Sequence, residues 1–211
     1  MAREGLPFAG TCLLAALLCG AAAGLHGALI YAAAAFGVLT LFMVFFFRDP
    51  ERTPPAGEHL IVSAADGRVV RVGETEQDDY IGGAAQEVSI FLSPLNVHVN
   101  RVPLAGVVDF VRWQRGRFLA AFSEAASAEN EQTVIGIRSG SAQIVVKQIV
   151  GVLARRVVCR LQAGDTVDRG ARFGLIRFGS RVDLIVPGST QIQVAVGDRV
   201  RGGETVMGVL P

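Results

Sequence analysis

The chain has 211 residues, enough for one domain of ordinary size or a smaller domain with an appendage. A formal net charge of +1 gives no reason to expect nucleic acid as a partner, and the hydrophobic share of 51% is unevenly spread, which points to a membrane segment. Lys147 is the only lysine, Cys12, Cys19 and Cys159 form no CxxC pair, and His26, His59 and His98 stand at ligand spacing with no cysteine; a disulfide framework and a metal centre are therefore not expected, and the body suits a reducing compartment.

From Phe8 to Phe47 no charged residue occurs. That run is about twice the roughly 20 residues needed to span a bilayer once. Gly24, His26 and Gly27 fall near its middle, where a hairpin turn would divide it into two short spans, about 8–24 and 28–47. Arg3 precedes the first span, and Arg48 and Arg52 follow the second. Basic flanks at both ends favour the cytoplasmic side for both. One long tilted span is the alternative and would put the body on the other side; a secretory signal is disfavoured by the length of the run.

Residues 1–50 thus read as a membrane anchor and 51–58 as a linker, since Arg48-Asp49-Pro50-Glu51-Arg52-Thr53-Pro54-Pro55 carries charges and prolines that end any helix. Beyond it the hydrophobic period falls to two. Strands are predicted at Leu60–Val62, Arg68–Val72, Glu87–Leu92, Gly106–Val111, Thr133–Ile137 and Ala142–Val146, separated by Gly, Pro or Asp turns. Only Arg117–Glu131 has a composition that suits a helix. The expected class is mainly β: a sandwich- or barrel-like body with hairpin repeats over 59–211, behind a transmembrane helical segment.

The repeats are Gly164-Asp165-Thr166-Val167-Asp168-Arg169-Gly170 and Gly197-Asp198-Arg199-Val200-Arg201-Gly202-Gly203, which share G-D-x-V-x-x-G. Gly and Asp supply tight turns and the valine pins each turn to the core. Apolar strands follow at Phe173–Ile176 and Thr205–Leu210. Barrels that carry lipoyl or biotinyl groups use such hairpins with a lysine at the tip; neither repeat has one, which favours a structural hairpin.

Three segments could carry chemistry. In Ser63-Ala64-Ala65-Asp66-Gly67-Arg68 an acid sits in a turn before a strand, where Asp66 reads as a turn residue or a catalyst. Ser93-Pro94-Leu95-Asn96-Val97-His98-Val99-Asn100-Arg101 gathers a histidine, two asparagines and an arginine; His98 reads as a buried loop histidine or, with Asn100 and Arg101, as part of an anion-binding or acid–base site. In Arg177-Phe178-Gly179-Ser180-Arg181-Val182-Asp183 the Gly-Ser step reads as a bulge or as the place for an internal acyl shift. For the shift, glycine leaves its carbonyl unshielded and the next hydroxyl attacks it.

Together these segments resemble phosphatidylserine decarboxylase in its short bacterial and archaeal form. The likeness extends from Phe46-Phe47-Arg48-Asp49-Pro50 through Ser63–Gly67, Ser93–Gly106 and Ala125–Glu131, with its Asn130-Glu131 pair, to Arg172–Leu184. It is most specific at Arg177–Asp183, which looks like the self-cleavage site. The resemblance implies that Ser180 attacks the Gly179 carbonyl and that the ester then eliminates. The chain is cut into a β chain, 1–179, and an α chain, 180–211, that begins with a pyruvoyl group and stays associated with its partner.

By the same resemblance the pyruvoyl carbonyl forms a Schiff base with the amine of phosphatidylserine and takes up the electrons released as CO₂ leaves, giving phosphatidylethanolamine. Asp66 matches the aspartate that helps a histidine activate the serine, and His98 matches the first histidine of a His-x-x-His motif. The second is Arg101 here, so the base for self-cleavage stays open. Arg101, with Asn100, is then a candidate for binding the substrate carboxylate or phosphate. A decarboxylase of another seryl lipid, such as archaetidylserine, is a second reading. A membrane-tethered barrel-sandwich adaptor is a third, but it gives no role to Asp66, His98 or the Gly179-Ser180 step.

Overall fold

The computed structural model describes residues 1–75, 80–123, 125–152, 156–177 and 179–211, and the chain divides into two compact units, Met1–Pro50 and Glu51–Pro211. In the first unit, α1 (Leu6–Ala22) and α2 (Leu29–Phe46) form a helical hairpin. Its open end is closed by the Ala2 amide on the Phe47 carbonyl (2.7 Å) and by stacking of Phe8 on Phe47. Each helix is about 26 Å long at 1.5 Å per residue, and their leucines, among them Leu13, Leu14, Leu17 and Leu18, are largely exposed. Both helices are long and apolar enough to cross a membrane.

The second unit is mainly β, as the period of two requires. Its strands are β1 (Leu60–Val62), β2 (Gly67–Thr75), β3 (Ala85–Leu92), β4 (Val99–Arg101), β5 (Gly106–Gln114), β6 (Gln132–Ser139) and β7 (Ala142–Ile149). They continue with β8 (Val157–Cys159), β9 (Thr166–Val167), β10 (Arg172–Ile176), β11 (Ser180–Pro187), β12 (Gln191–Ile192), β13 (Arg199–Val200) and β14 (Val206–Val209). The largest sheet runs β13-β2-β3-β11-β7-β6-β5-β9, antiparallel throughout, and curls into a half-barrel. Two small sheets, β1-β14-β12 and β4-β10-β8, contribute Ile61, Met207, Phe173 and Ile176 to the core cluster that also holds Val88, Ile90, Leu92, Val146, Val182 and Leu184 of the large sheet.

The G-D-x-V-x-x-G repeats are structurally equivalent. In each the aspartate accepts from the backbone amide three residues upstream, Gln162 on Asp165 (2.8 Å) and Ala195 on Asp198 (2.9 Å). Gly170 then donates to the Val102 carbonyl and Gly203 to that of Ser63. The valines, Val167 and Val200, are buried and lie on β9 and β13, the two edges of the large sheet. The strands they border, β5 and β2, each carry a bulge, at Val108/Phe110 and Val69/Arg71. The body is therefore a pseudo-twofold duplication, and paired bulges curl its sheet symmetrically.

Two expected segments look different in the fold. Only Ala126–Glu129 of the expected helix is helical (α3), because the backbone before it bonds elsewhere: Arg117 bridges Asn130, and Asn130 Oδ1 and Nδ2 take the Leu119 amide and carbonyl, both at 2.9 Å. Glu124 of that segment lies outside the described residues. Residues 51–58 have no regular structure but are strapped to the body. Arg169 donates to the carbonyls of Pro55, Gly57 and Leu60, and Pro54 packs against Gly170.

Candidate active site

Ser180 is the first residue of β11, paired with Leu92, the last residue of β3. The next pairs are Arg181 with Ile149 at the end of β7, Ile149 with Gln132 at the start of β6, and Gln132 with Gln114 at the end of β5. Five strand ends therefore form one row, and the connections 93–98, 115–131, 150–156 and 177–179 all leave the sheet there. Because β3 pairs with β11 and β4 with β10, the 93–98 connection lies beside the 177–179 connection that carries the Gly-Ser step. Phe178 in that step lies outside the described residues.

The local backbone at the step is unusual. Gly179 has φ +71°, a left-handed conformation that costs an L-residue about 1–2 kcal/mol, although an added Cβ there would meet nothing within 4 Å. Ser180 is fully buried, and its Oγ has no hydrogen-bond partner among the described residues. A buried, unsatisfied hydroxyl costs about 1–3 kcal/mol and calls for an explanation. The Gly179 carbonyl oxygen points at Gly151: a Cβ added to Gly151 would lie 2.6 Å from it and 3.1 Å from Ala121 Cβ. Gly151→Ala should therefore displace this carbonyl and slow any attack on it by about 10²-fold, the usual cost of a misplacement near 1 Å. A time course of chain cleavage after cell-free synthesis checks this. Gly73→Ala, where nothing lies within 4 Å, is the control, and wild-type kinetics for Gly151→Ala would remove the assignment.

His98 precedes β4 and is 2% exposed. Its Nδ1 lies 2.9 Å from the Asn96 carbonyl oxygen, which can only accept, so Nδ1 carries a proton and, in the neutral ring, Nε2 holds the lone pair. The His98 carbonyl receives the Ile176 amide at 3.4 Å, which fixes the histidine to the strand leading into the Gly-Ser step. Asn100, on the same side of the strand two residues on, accepts from Gln148 Nε2 at 2.8 Å. Gln148 is paired with Val182, two residues from Ser180 on the same face of the sheet. Asn100 Nδ2 and Gln148 Oε1 are both buried without a hydrogen-bond partner among the described residues.

Asp66 and Arg101 face the hairpin repeats. Both Asp66 oxygens are taken by Arg52, at 2.5 and 2.8 Å, and Oδ1 also accepts from the Gly202 amide at 2.9 Å. Breaking such a largely buried pair typically costs about 3–5 kcal/mol. Arg101 Nη1 donates to the Gly170 carbonyl at 3.0 Å, and its Cδ would lie 2.7 Å from a Cβ on Gly203. The Arg101 amide donates to Ala64, which ties the Asp66 turn to the strand that His98 leads into.

On the opposite face, Arg181 is 2% exposed and joins Asp183 (2.6 Å), Glu87 (3.0 Å), Ser89 Oγ (2.7 Å) and the Ser123 carbonyl (3.3 Å). Ser127 Oγ donates to the other Asp183 oxygen at 2.7 Å. The residue after the Gly-Ser step is thereby clamped to segments that precede it in sequence.

A buried hydroxyl behind a left-handed glycine, whose carbonyl sits where a second glycine leaves room, has the parts an N-to-O acyl shift needs. The residues fit a pyruvoyl precursor on those grounds. Comparison with known proteins agrees on the family: residues 39–208 match the model for phosphatidylserine decarboxylase. The chain belongs to the phosphatidylserine decarboxylase family. It is 42% identical over 212 residues to a phosphatidylserine decarboxylase proenzyme of Geobacter metallireducens, covering 100% of this chain and 97% of that one. The proenzyme of Symbiobacterium thermophilum is 45% identical, with 100% and 96% covered, and that of Salinibacter ruber is 49% identical over 173 residues, with 81% and 76% covered.

Within this decarboxylase-family fold, Gly151 and Gln148 are candidate site residues that the one-dimensional pattern did not single out, and Arg181 is legible there only as part of the Arg177–Asp183 segment. Gly151 is a lone loop glycine, and Gln148 falls two residues beyond the strand predicted at Ala142–Val146. Arg181 and Asp183 alternate onto one face, a visible signal, but their partners Glu87 and Ser89 lie far upstream. Burial pushes the Cys159 thiol up, a hydrogen bond from the Leu161 backbone partly opposes this, and the Asp165 charge adds to it, which disfavours the thiolate. A cavity of about 720 Å³, lined by His59, Ser139, Gln143, Arg169, Pro187 and Pro211, lies at the other end of β11 from Ser180.

Proposed function

We propose that this chain is a self-processing phosphatidylserine decarboxylase, held at the cell membrane by α1 and α2 with its body on the cytoplasmic face. The observation that carries the reading is the buried Ser180 hydroxyl behind the left-handed Gly179. Ser180 Oγ attacks the Gly179 carbonyl carbon, and the peptide C–N bond gives way to an ester as the proton passes from oxygen to nitrogen. Loss of the Ser180 Cα proton then breaks Cβ–Oγ, leaving the Gly179 carboxylate and dehydroalanine. Tautomerisation and hydrolysis of its imine release ammonia and leave a pyruvoyl group. When formed, this group supplies a carbonyl that withdraws electrons from the substrate carbon losing CO₂.

The chain's own residues do the rest. His98, with its proton held on Nδ1, presents Nε2 as an acid–base group. Asn100 Nδ2 is a donor for a head-group oxygen. Arg101 and Asp66 act through position, because both are committed to the hairpin glycines that fix the two turns. The positive-inside tendency acting on Arg3, Arg48 and Arg52 supports the cytoplasmic side.

Denaturing mass spectrometry of the purified protein tests the reading. Two chains are expected, of 179 and 32 residues, the smaller one blocked to Edman sequencing, in a preparation that converts phosphatidylserine in detergent micelles to phosphatidylethanolamine. An active preparation consisting only of the intact 22.3 kDa chain would falsify it.

A further inference from the structure

The body exposes few large apolar side chains, and their placement is not random. Among the described residues of Glu51–Pro211 they are Leu95, Trp113, Phe118, Phe122, Val152 and Val196. All but Val196 come from the row of strand ends and the connections that surround Ser180. Leu95 is in the 93–98 connection beside the Gly-Ser step, Trp113 is next to last in β5, and Phe118 and Phe122 are in 115–131. Val152 follows Gly151, the residue that faces the Gly179 carbonyl. Phe122 rests edge-on against Phe91, the strand partner of Arg181 (centroids 6.1 Å). Asn130 Nδ2, bonded to the carbonyls of Leu119 and Val150, anchors the Phe118–Phe122 segment at this rim.

The charges of the rim are mostly of one sign. Arg112, Arg115, Arg117 and Arg156 are exposed and Arg177 is half-buried. The described acids nearby are Glu129, paired with Arg117 at 3.1 Å, and the half-buried Glu131. Aromatic and aliphatic side chains interleaved with arginine match the chemistry of a bilayer interface, where apolar tips enter the acyl boundary and guanidinium groups meet anionic head groups.

We propose that this rim docks onto an anionic lipid bilayer, so that the mouth around Ser180 opens directly onto the membrane surface. The inference rests on the decarboxylase reading to the extent that a diacyl substrate must keep its acyl chains in the bilayer while its head group reaches Ser180. The rim removes the need to lift the lipid into water. Scattered exposed hydrophobic residues are ordinary on a soluble surface; their concentration around one reacting residue is not.

Trp113 is the chain's single tryptophan, which makes it a native probe. Full-length Ser180→Ala protein is reconstituted in phosphatidylcholine–phosphatidylglycerol vesicles with bromine on the upper acyl carbons. Tryptophan emission should fall at least twofold relative to unbrominated vesicles and resist aqueous iodide. Emission unaffected by bromolipid but quenched by iodide overturns the proposal. So does emission shielded from both together with a concentration-dependent dimer in detergent, which would assign the face to a second copy.

Quenching needs no turnover, so its failure is separate from failure of the decarboxylase reading. In cleaved protein, Leu95→Asp combined with Phe122→Asp should lower activity on bilayer phosphatidylserine at least tenfold more than on a monomeric short-chain phosphatidylserine. Equal loss on both substrates also counts against docking.

Discussion

Ser180→Ala protein should accumulate as one uncut polypeptide of 22.3 kDa and release no CO₂ from phosphatidylserine above background. The substitution removes one oxygen that has no hydrogen-bond partner among the described residues, so folding should not suffer. Deleting an unsatisfied buried hydroxyl is neutral or mildly stabilising, unlike deletion of a bonded one. A thermal transition at or above that of an uncleaved wild-type sample, with no cleavage and no CO₂, separates a chemical role from a structural one. Cleavage at the same bond in Ser180→Ala protein would assign the attack to another group.

His98→Ala should still yield the two chains, slowly, but its decarboxylation should fall by about 10²- to 10⁴-fold, the usual contribution of a positioned acid–base group. Processing occurs once per molecule, so a step slowed a thousandfold still completes on standing. A catalytic cycle repeats the loss at every turnover. The imidazole is held for this work, because the Asn96 carbonyl fixes the proton on Nδ1 and the Ile176 amide fixes the backbone. Following chain ratio by mass spectrometry and CO₂ release in parallel checks both halves. Full cleavage with wild-type turnover would reduce His98 to a packing residue, and a permanently uncut chain would move it to the self-cleavage step.

The parts of the fold legible in the sequence are those set by local pattern. The period of two marks β1 to β3 and β5 to β7, the uncharged run with central glycines gives the helical hairpin, and G-D-x-V-x-x-G places both turns. The segment 117–131 misleads because its composition suits a helix while Asn130 takes the backbone of Leu119. A single side chain outweighs propensity there, and nothing within the segment announces it. The centrality of β11 is equally hidden, because its neighbours β3 and β7 come from distant parts of the chain and register is a property of pairs. The same holds for Gly151, whose missing side chain matters only once the Gly179 carbonyl arrives beside it.

Of the candidate site, Ser180, Gly179 and His98 are legible as residue types in a dense local context. The surroundings of Asp66 and Arg101 are not. Asp66 reads as a turn residue or as the aspartate that helps a histidine activate the serine, and Arg101 as a substrate-binding residue. The fold instead joins Asp66 to Arg52 and to the Gly202 amide, and Arg101 to the Gly170 carbonyl; those two glycines lie 136 and 69 residues further along the chain. Their charges stabilise a junction that only the assembled duplication creates.

The position of β11 between β3 and β7 has one last consequence. If the Gly179–Ser180 bond is cut as proposed, a strand with ladders on both sides and with Arg181 clamped to Glu87 and Ser89 should stay in place. The product is a structure that one molecule assembles and two molecules then occupy. Its refolding would be a bimolecular search by a long fragment and a short one, whereas its first folding was unimolecular. Such a protein persists because it opens slowly, not because its parts readily find each other again, so the lifetime of the enzyme is set by an unfolding barrier rather than by an equilibrium.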